Sequence, residues 1–296
     1  MTSRNSSLRL VFSGGTSPVW LVLVGILSVQ FGAGIAKSLF DEVAPTTIVW
    51  LRLATSAIVL VLVARPRLRG RTGSDWLVVL AFGVALGTMN WAIYQAFARI
   101  PLGVAVTLEF VGPLTLAVLG SRRPRDLLWV VLAGTGVALL GLGGGGSLTT
   151  AGVLFALLAG GCWAAYILLS AQTGRRWPGL DGLALASVLA TLLLTPAAVG
   201  VGRSDLLDPR ILLLGALVGL LSSVIPYSCE LIALRSLRPA VFSILMSLEP
   251  AAAALAGIVV LGEFLTVEQW VAMACVVVAS VGATRSSRAV MQPIPD

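Results

Sequence analysis

The chain contains no histidine and few charged residues of either sign. Only 11% of its 296 residues are charged, whereas an ordinary soluble domain has about 25%. Without histidine, the chain cannot form a histidine zinc site, a Ser-His-Asp triad or a histidine proton relay. GxSxG motifs and GxGD-type pairs of acids are absent too. The sequence therefore argues against an enzyme and predicts no catalytic residue, metal or cofactor.

Two features that often bind metals or ligands are incomplete in this chain. The 3 cysteines, Cys162, Cys229 and Cys275, lie in apolar segments without paired spacing, which is typical of small packing residues. The glycine run at 141–146 lacks the Gly-Lys-Ser/Thr ending of a phosphate-binding loop. We therefore expect neither a disulfide nor a nucleotide site, and we interpret the glycine run as a linker.

Long apolar stretches are abundant. Hydrophobic residues make up 57% of the sequence, and the mean hydropathy is +0.98. Because a helix needs about 20 apolar residues to cross the hydrocarbon core, the pattern predicts ten membrane helices. Their approximate ranges are 18–40, 45–64, 75–97, 101–120, 125–142, 151–172, 182–201, 210–234, 239–262 and 267–284. We predict an all-α membrane protein whose short connections leave no room for a soluble domain.

Basic residues fall mostly on one side of these ten segments. The connections on that side carry Arg4, Arg9, Arg65, Arg67, Arg69, Arg71, Arg122, Arg123, Arg125, Arg175, Arg176, Arg235, Arg238, Arg285 and Arg288. The other side carries only Arg99, Arg203 and Arg210. Since cytoplasmic loops are rich in Lys and Arg, both tails, 1–17 and 285–296, are expected in the cytoplasm. The net charge of +7 then reflects membrane topology, and no nucleic-acid binding is expected.

Shifting the sequence by 137 positions reveals an internal repeat, in which Pro113 superposes on Pro250. We predict two five-helix repeats, 18–142 and 151–284, joined by a glycine-rich linker at 143–150. Because five is odd, the second repeat enters the membrane from the opposite side. Inverted repeats of this kind build many secondary transporters, with the substrate site near the membrane midplane.

Five charged residues lie within the apolar segments: Lys37, Arg52, Glu109, Glu230 and Glu249. Each costs about 3 kcal/mol in the hydrocarbon core on insertion scales, so an accidental set is not expected. We predict that they line a polar cavity whose ligand carries both signs of charge. Two alternatives stay open. The basic residues neutralise buried acids in structural ion pairs, or Lys37 extends to the outer interface.

Three prolines are expected to interrupt helices near these charges. Pro113 and Pro250 lack the N–H groups that would bond to the carbonyls of Glu109 and Met246. Those carbonyls then become available to an ammonium group or a water molecule. Pro226 has the same effect in the eighth segment. The alternative is a packing kink without a functional role.

Polar and aromatic side chains at similar depth complete the candidate site. They are Gln30, Asn90, Trp163, Tyr166 and Tyr227. Buried side chains of these types need hydrogen-bond partners, which a polar cavity would provide. Hydrogen bonds between helices would satisfy them equally well, so both interpretations stay open.

Five stretches of the chain carry a family resemblance. They are GAGIAKSLF (32–40), PLGVAVTLEFVGPLTLAVLGSRRP (101–124), GCWAAYILLSAQ (161–172), IPYSCELIAL (225–234) and SLEPAAAALAGIVVLGE (247–263). In these stretches the chain resembles the EamA-type branch of the drug/metabolite transporter superfamily, whose members are ten-helix carriers. Within that branch it is most similar to bacterial threonine/homoserine exporters. The resemblance implies an exporter of small amino acids that is driven by the proton motive force.

The resemblance also implies a cavity lined by helices 1, 3, 4, 6, 8 and 9. Every charge named above except Arg52 falls on that set. The two halves differ at 121–124, where SRRP stands in place of the LGEF that follows the ninth segment. A family role for Glu263 is therefore not transferred to the first half.

We therefore expect a secondary transporter of the bacterial cytoplasmic membrane. It would export threonine- or homoserine-like amino acids from the cytoplasm by alternating access, with Glu109 or Glu249 alternating between a proton and the substrate ammonium. Its expected partners are a zwitterionic small molecule, protons and the lipid bilayer, and it would act as a monomer or a homodimer. The main alternative is an EamA exporter of another substrate, such as an aromatic amino acid, another metabolite or a drug. A channel is a further alternative.

Overall fold

The computed structural model describes residues 18–119, 127–143, 148–202, 204–234, 237 and 239–287. In these ranges the chain forms helices joined by short turns and contains no strand. The α-helices are α1 Pro18–Ser38, α2 Pro45–Ala64, α3 Gly73–Phe97, α4 Leu102–Glu109, α5 Val111–Leu119, α6 Leu127–Gly143, α7 Thr150–Arg176, α8 Asp181–Gly202, α9 Pro209–Gly219, α10 Ile225–Leu234, α11 Pro239–Met246, α12 Glu249–Ala256 and α13 Val267–Ser287. Two π-helical turns, Leu220–Val224 and Gly257–Leu261, follow α9 and α12.

The described helices account for ten apolar crossings. Nine are long and apolar enough to span a membrane, and a shorter apolar stretch, Leu127–Leu139, lies within α6. Three crossings are composite, since α4 continues into α5, α9 into α10 and α11 into α12. Their positions follow the ten apolar segments of the sequence, so the predicted all-α membrane protein is confirmed.

Local sequence explains where several crossings begin and end. α2 and α9 begin at Pro45 and Pro209, since proline has a helical φ and needs no N–H partner at that position. α3 begins with a reciprocal cap, in which the backbone N–H groups of Thr72 and Asp75 each donate to the other residue's side chain. The second π turn ends at Gly262, whose φ of 67° glycine adopts without strain.

Helices pack across the two halves of the chain. α3 packs against α7 and α8, α10 against α1, α2 against α8, and α6 against α13. Close packing brings α5 onto α7, where a Cβ on Gly112 would overlap the carbonyl of Gly160. A Cβ on Gly160 would in turn overlap the carbonyl of Glu109. These two glycines therefore allow the backbone at Glu109 to lie directly against α7.

Contacts between the turns that connect the helices mark the two ends of the bundle. At one end, which we call the near end, α1 begins and α13 ends. There Nη1 of Arg71, just before α3, donates to the carbonyl of Arg176 at the end of α7, at 2.9 Å. At the other end, the far end, α1 ends and Lys37 meets Ile100 and Glu263.

Several sequence predictions concern residues outside the described ranges. These residues are 1–17, 120–126, which include the SRRP stretch at 121–124, 144–147 within the glycine-rich linker, and 288–296. Nine of the arginines used to assign topology lie there too: Arg4, Arg9, Arg122, Arg123, Arg125, Arg203, Arg235, Arg238 and Arg288. The cytoplasmic location of both tails and the division into two repeats therefore stay predictions.

Candidate functional site

A cavity of about 540 Å³ lies inside the helix bundle. Its walls come from α1 to α5, α7, α10 to α13 and the π turn Leu220–Val224. Eleven of the thirteen residues singled out in the sequence line it: Gln30, Arg52, Asn90, Glu109, Pro113, Trp163, Tyr166, Pro226, Tyr227, Glu230 and Glu249. The other two, Lys37 and Pro250, do not belong to the lining.

Three glutamates reach the cavity from three different helices. Glu109 ends α4, Glu230 lies in α10 and Glu249 begins α12. Glu249 is only 9% exposed, and Nε2 of Gln30 donates to its Oε2 at 3.4 Å. Among the described residues, none of the three glutamates forms an ion pair. The lining thus holds three carboxylates that no basic side chain in the described part of the chain neutralises by direct contact.

Helix breaks place two of these glutamates at helix ends. α4 stops at Glu109 before α5 begins, and α11 stops at Met246 before α12 begins at Glu249. Pro113 and Pro250 follow the two breaks, and each lacks the N–H that would bond to a carbonyl four residues earlier. Glu249 lies in the first turn of α12, where the positive end of the helix dipole stabilises a carboxylate.

Arg52 extends from α2 into the wall of the cavity. Its Nε donates to Oγ of Ser223 at 3.2 Å, and its Nη2 donates to the carbonyl of Ser222 at 3.0 Å. The guanidinium carbon lies 5.6 Å from the centre of the Tyr94 ring. Within the described ranges Arg52 forms no ion pair with a carboxylate. Among the described residues Arg52 therefore neutralises no buried acid through a direct ion pair, and its role stays a prediction.

The set of lining helices expected from the family resemblance is incomplete. That set omits the second and tenth apolar segments, which are α2 and α13 in the structure. Arg52 of α2 and Ser280 and Thr284 of α13 nevertheless line the cavity. α2 packs against α9 and the π turn that follows it, so the long side chain of Arg52 reaches the wall there. α13 packs against α4, α5 and α11, which brings its last turns to the same cavity.

Aromatic and amide side chains form much of the remaining wall. Trp163 meets Phe110 edge to face, with 4.9 Å between ring centres. Tyr166 packs against Phe82 at 5.1 Å. Asn90 donates from its side chain to a carbonyl one turn earlier in α3, at 2.9 Å. α7 thus presents an aromatic surface to the cavity, while Asn90 satisfies its donor within its own helix.

Lys37 lies at the far end of the bundle and outside the cavity lining. Its Nζ lies 2.5 Å from Oε1 of Glu263 and donates to the carbonyl of Ile100 at 2.7 Å. Oε2 of Glu263 accepts the N–H of Leu102 at 2.8 Å. One ion pair therefore ties together the end of α1, the start of α4 and the turn before α13. For Lys37, the structure matches the alternative of a structural ion pair.

Sequence reasoning misses several residues of this region. Glu263 looks like part of a generic LGE stretch, and nothing local connects it with Lys37. Ser222 and Ser223 carry a usable signal, because they form a polar pair shortly before Pro226 in an otherwise apolar segment. Further lining residues are apolar or small and carry no signal of their own.

The chain is similar to known transporters over most of its length. Residues 150–285 match the EamA-like transporter family. Threonine/homoserine exporter RhtA of Escherichia coli (strain K12) is 41% identical over 277 residues, which cover 92% of this chain and 94% of that protein. RhtA of Salmonella typhimurium (strain LT2) is 40% identical with the same coverage. The uncharacterized transporter YwfM of Bacillus subtilis (strain 168) is 33% identical over 196 residues, which cover 65% of this chain and 62% of that protein.

A crystal structure of another protein has the same fold. It superposes with a TM-score of 0.61 over 92% of this chain and 99% of that chain, at 20% identity. Identity at that level supports the fold alone. The helical architecture and the relatives together define a multi-pass membrane protein of a transporter class. With 41% identity over 92% of its length to one member, the chain belongs to the EamA-like transporter family.

Proposed function

We propose that this protein is a secondary transporter that exports small, threonine- or homoserine-like amino acids from the bacterial cytoplasm. The charge pattern of the cavity is the main support, since one arginine and three glutamates line it and none of them is ion-paired among the described residues. The threonine/homoserine exporters at 41% and 40% identity support the same substrate class.

A zwitterionic amino acid complements this charge pattern. Its carboxylate would meet Arg52, and its ammonium group would meet Glu109, Glu230 or Glu249. Two unit charges about 4 Å apart attract by about 4 kcal/mol at an effective dielectric constant of about 20, which offsets the loss of water around the substrate. A lipophilic cation would also find acids in this cavity, but Arg52 would repel it. The charge pattern therefore favours a zwitterion over a multidrug cation.

An aromatic amino acid, another metabolite or a drug is the second candidate substrate. The volume of about 540 Å³ falls within the range of about 300–1,000 Å³ that is usual for small-molecule sites. Trp163 and Tyr166 line the cavity and offer a surface on which an aromatic substrate would pack. Competition with labelled threonine by aromatic amino acids would separate the two candidates, because only the preferred class should compete at low concentration.

Matched helix breaks in the two halves support alternating access. The break after Glu109 and the break after Met246 lie at positions that the 137-residue shift superposes. Helix packing follows the same pattern, because α3 packs against α7 as α10 packs against α1. In the proposed arrangement, the repeats 18–142 and 151–284 exchange conformations around one site at their interface.

Proton entry is proposed to drive export. Glu109 or Glu249 holds the substrate ammonium when ionised and carries a proton when the empty carrier returns. Protonation on return avoids an unpaired charge inside the helix bundle, which would be costly. Gln30 supports Glu249 in this role, because Nε2 of Gln30 donates a hydrogen bond to Oε2 of Glu249 at 3.4 Å. Each exported amino acid would then be exchanged for at least one proton.

Both tails, 1–17 and 285–296, are proposed to lie in the cytoplasm, on the basis of the arginine distribution. Fusions of each end to a reporter that is active only in the periplasm test this placement. Inactive fusions at both ends are expected, and an active fusion at either end would contradict the orientation.

Efflux from proteoliposomes tests the proposed function. Vesicles containing the purified protein are loaded with labelled threonine or homoserine, and efflux is measured with and without an inward proton gradient. We expect saturable efflux that the gradient accelerates. At least one of the variants Glu109→Gln and Glu249→Gln, and the variant with both substitutions, should lose that acceleration.

Glu42→Gln is the matched control for these variants. Glu42 is an exposed acid at the far end that pairs with Arg210, so its loss should leave efflux unchanged. Full dependence on the proton gradient in a variant with both Glu109→Gln and Glu249→Gln would contradict the coupling. No efflux of either amino acid from vesicles containing folded protein would contradict the substrate class.

A further inference from the structure

Two serines hold Arg52 through neutral acceptors. Nε of Arg52 donates to Oγ of Ser223 at 3.2 Å, and Nη2 donates to the carbonyl of Ser222 at 3.0 Å. Both serines lie in the π turn Leu220–Val224, where Ser222 is 1% and Ser223 is 2% exposed. Because both acceptors are neutral, these contacts orient the guanidinium without neutralising its charge.

Backbone geometry makes the Ser222 carbonyl available to Arg52. In an α-helix this carbonyl would accept the N–H of the residue four positions later, but that residue is Pro226, which has no N–H. The N–H of Ile225 bonds instead to the carbonyl of Leu220, five residues earlier, with the spacing of a π-helix. The carbonyl that loses its α-helical partner is therefore the one that receives Nη2 of Arg52.

Part of the Arg52 guanidinium has no protein partner among the described residues. Nη1 of Arg52 makes no hydrogen bond there, and no carboxylate lies within ion-pair distance. Oγ of Ser222 is buried and likewise has no hydrogen-bond partner in the described part of the chain. A Cβ on Gly32 would overlap this hydroxyl, so glycine at that position leaves space for it. Both residues with unused donors, Arg52 and Ser222, line the cavity.

We propose that Ser222 and Ser223 are positioning residues that present Arg52 as the receptor for the α-carboxylate of the substrate. This inference rests on the proposed export of amino acids. The carboxylate accepts a hydrogen bond from Nη1 of Arg52, and it neutralises a cation that no carboxylate of the described residues contacts. A free carboxylate is therefore the group that the site requires of its substrate.

Analogues of threonine that lack the carboxylate should be rejected. Threoninol and threonine amide keep the side chain and the ammonium group but have no negative charge. They would leave the half-buried guanidinium of Arg52 without a charged partner, and a site built for a polar group rejects analogues that lack it. In the wild-type protein, we expect each analogue to compete with labelled threonine at least roughly 100-fold more weakly than unlabelled threonine does.

Substitutions at Ser223 test the positioning role. Ser223→Ala should raise the KM for threonine about tenfold, since a hydrogen bond to a charged group is worth about that factor, while kcat changes by less than about twofold. Ser223→Thr keeps the hydroxyl group and should restore most of the affinity. Arg52→Lys lacks the planar fork and should lose both affinity and discrimination. Ser228→Ala is the matched control, because Ser228 is exposed on α10 and donates to the carbonyl of Val224.

Competition in the wild-type protein is decisive without any variant, so a variant that fails to fold cannot hide the result. Threoninol that competes as well as threonine would overturn the carboxylate receptor while leaving amino-acid export intact. An unchanged KM in folded Ser223→Ala would overturn the positioning role. No saturable transport of threonine or homoserine would overturn the proposed function and this inference with it.

Discussion

Replacing Glu263 with glutamine should destabilise the protein, although it changes only one charge. Glutamine keeps a side-chain oxygen that can accept the N–H of Leu102, which Oε2 of Glu263 accepts at 2.8 Å. The substitution removes the charged partner of Lys37, whose Nζ lies 2.5 Å from Oε1 of Glu263. It therefore separates the contribution of the ion pair from that of the hydrogen bond at the start of α4.

The size of the effect follows from the burial of the pair. The side chains of Lys37 and Glu263 are only 16% and 21% exposed. Without the carboxylate, the ammonium group keeps one neutral acceptor, the carbonyl of Ile100. Breaking a buried ion pair costs about 3–5 kcal/mol, and we expect the lower value, about 3 kcal/mol, because this pair retains some contact with solvent. Removing both charges in Lys37→Met/Glu263→Gln should recover most of that loss.

Reversible unfolding in mixed detergent micelles measures these free energies. Glu42→Gln is the control for losing a surface charge, because the pair of Glu42 with Arg210 is exposed and such pairs contribute at most about 1 kcal/mol. A Glu263→Gln variant as stable as the wild type would refute a stabilising ion pair. A double variant less stable than Glu263→Gln would refute it too.

Two further substitutions test packing at named sites. Gly160→Val should lower the free energy of unfolding by about 3 kcal/mol, because even a Cβ would overlap a backbone carbonyl of α4. Gly161→Val is the control, since a Cβ there meets open space, and equal stability of the two variants would contradict the close approach. Arg71→Ala should cost about 0.5–1 kcal/mol, because its guanidinium lies 4.4 Å from the centre of the Trp177 ring. Thermal unfolding should show no such loss for exposed Arg69→Ala, and equal melting temperatures of the two variants would contradict the stacking.

Much of the helical layout is predictable because apolar length and proline position act locally. The segment predicted at 45–64 is the helix Pro45–Ala64. The break beside Glu109 agrees with the N–H that Pro113 lacks. The π turn Leu220–Val224 could not be predicted in the same way. It differs from an α-helix by one residue in hydrogen-bond spacing, which neither composition nor hydropathy records.

The members of the cavity lining were partly predictable, but their pairing was not. Glu109, Glu230 and Glu249 stand out in the sequence because a charge in an apolar run is costly. Lys37 belongs to the same pattern, yet it pairs with Glu263 at the far end of the bundle. Which charges meet depends on how helices from distant parts of the chain rotate and tilt against one another. A single sequence does not specify these packing angles.

The most direct test of amino-acid and proton exchange is the pH inside proteoliposomes while threonine leaves them. The vesicles hold labelled threonine and a pH-sensitive dye, both sides start at equal pH, and potassium with valinomycin holds the membrane potential near zero. We predict threonine efflux together with acidification of the interior, and loss of the acidification when Glu109 and Glu249 are both replaced by glutamine. Threonine efflux at a constant internal pH, or no threonine efflux at all, would contradict amino-acid export coupled to proton entry.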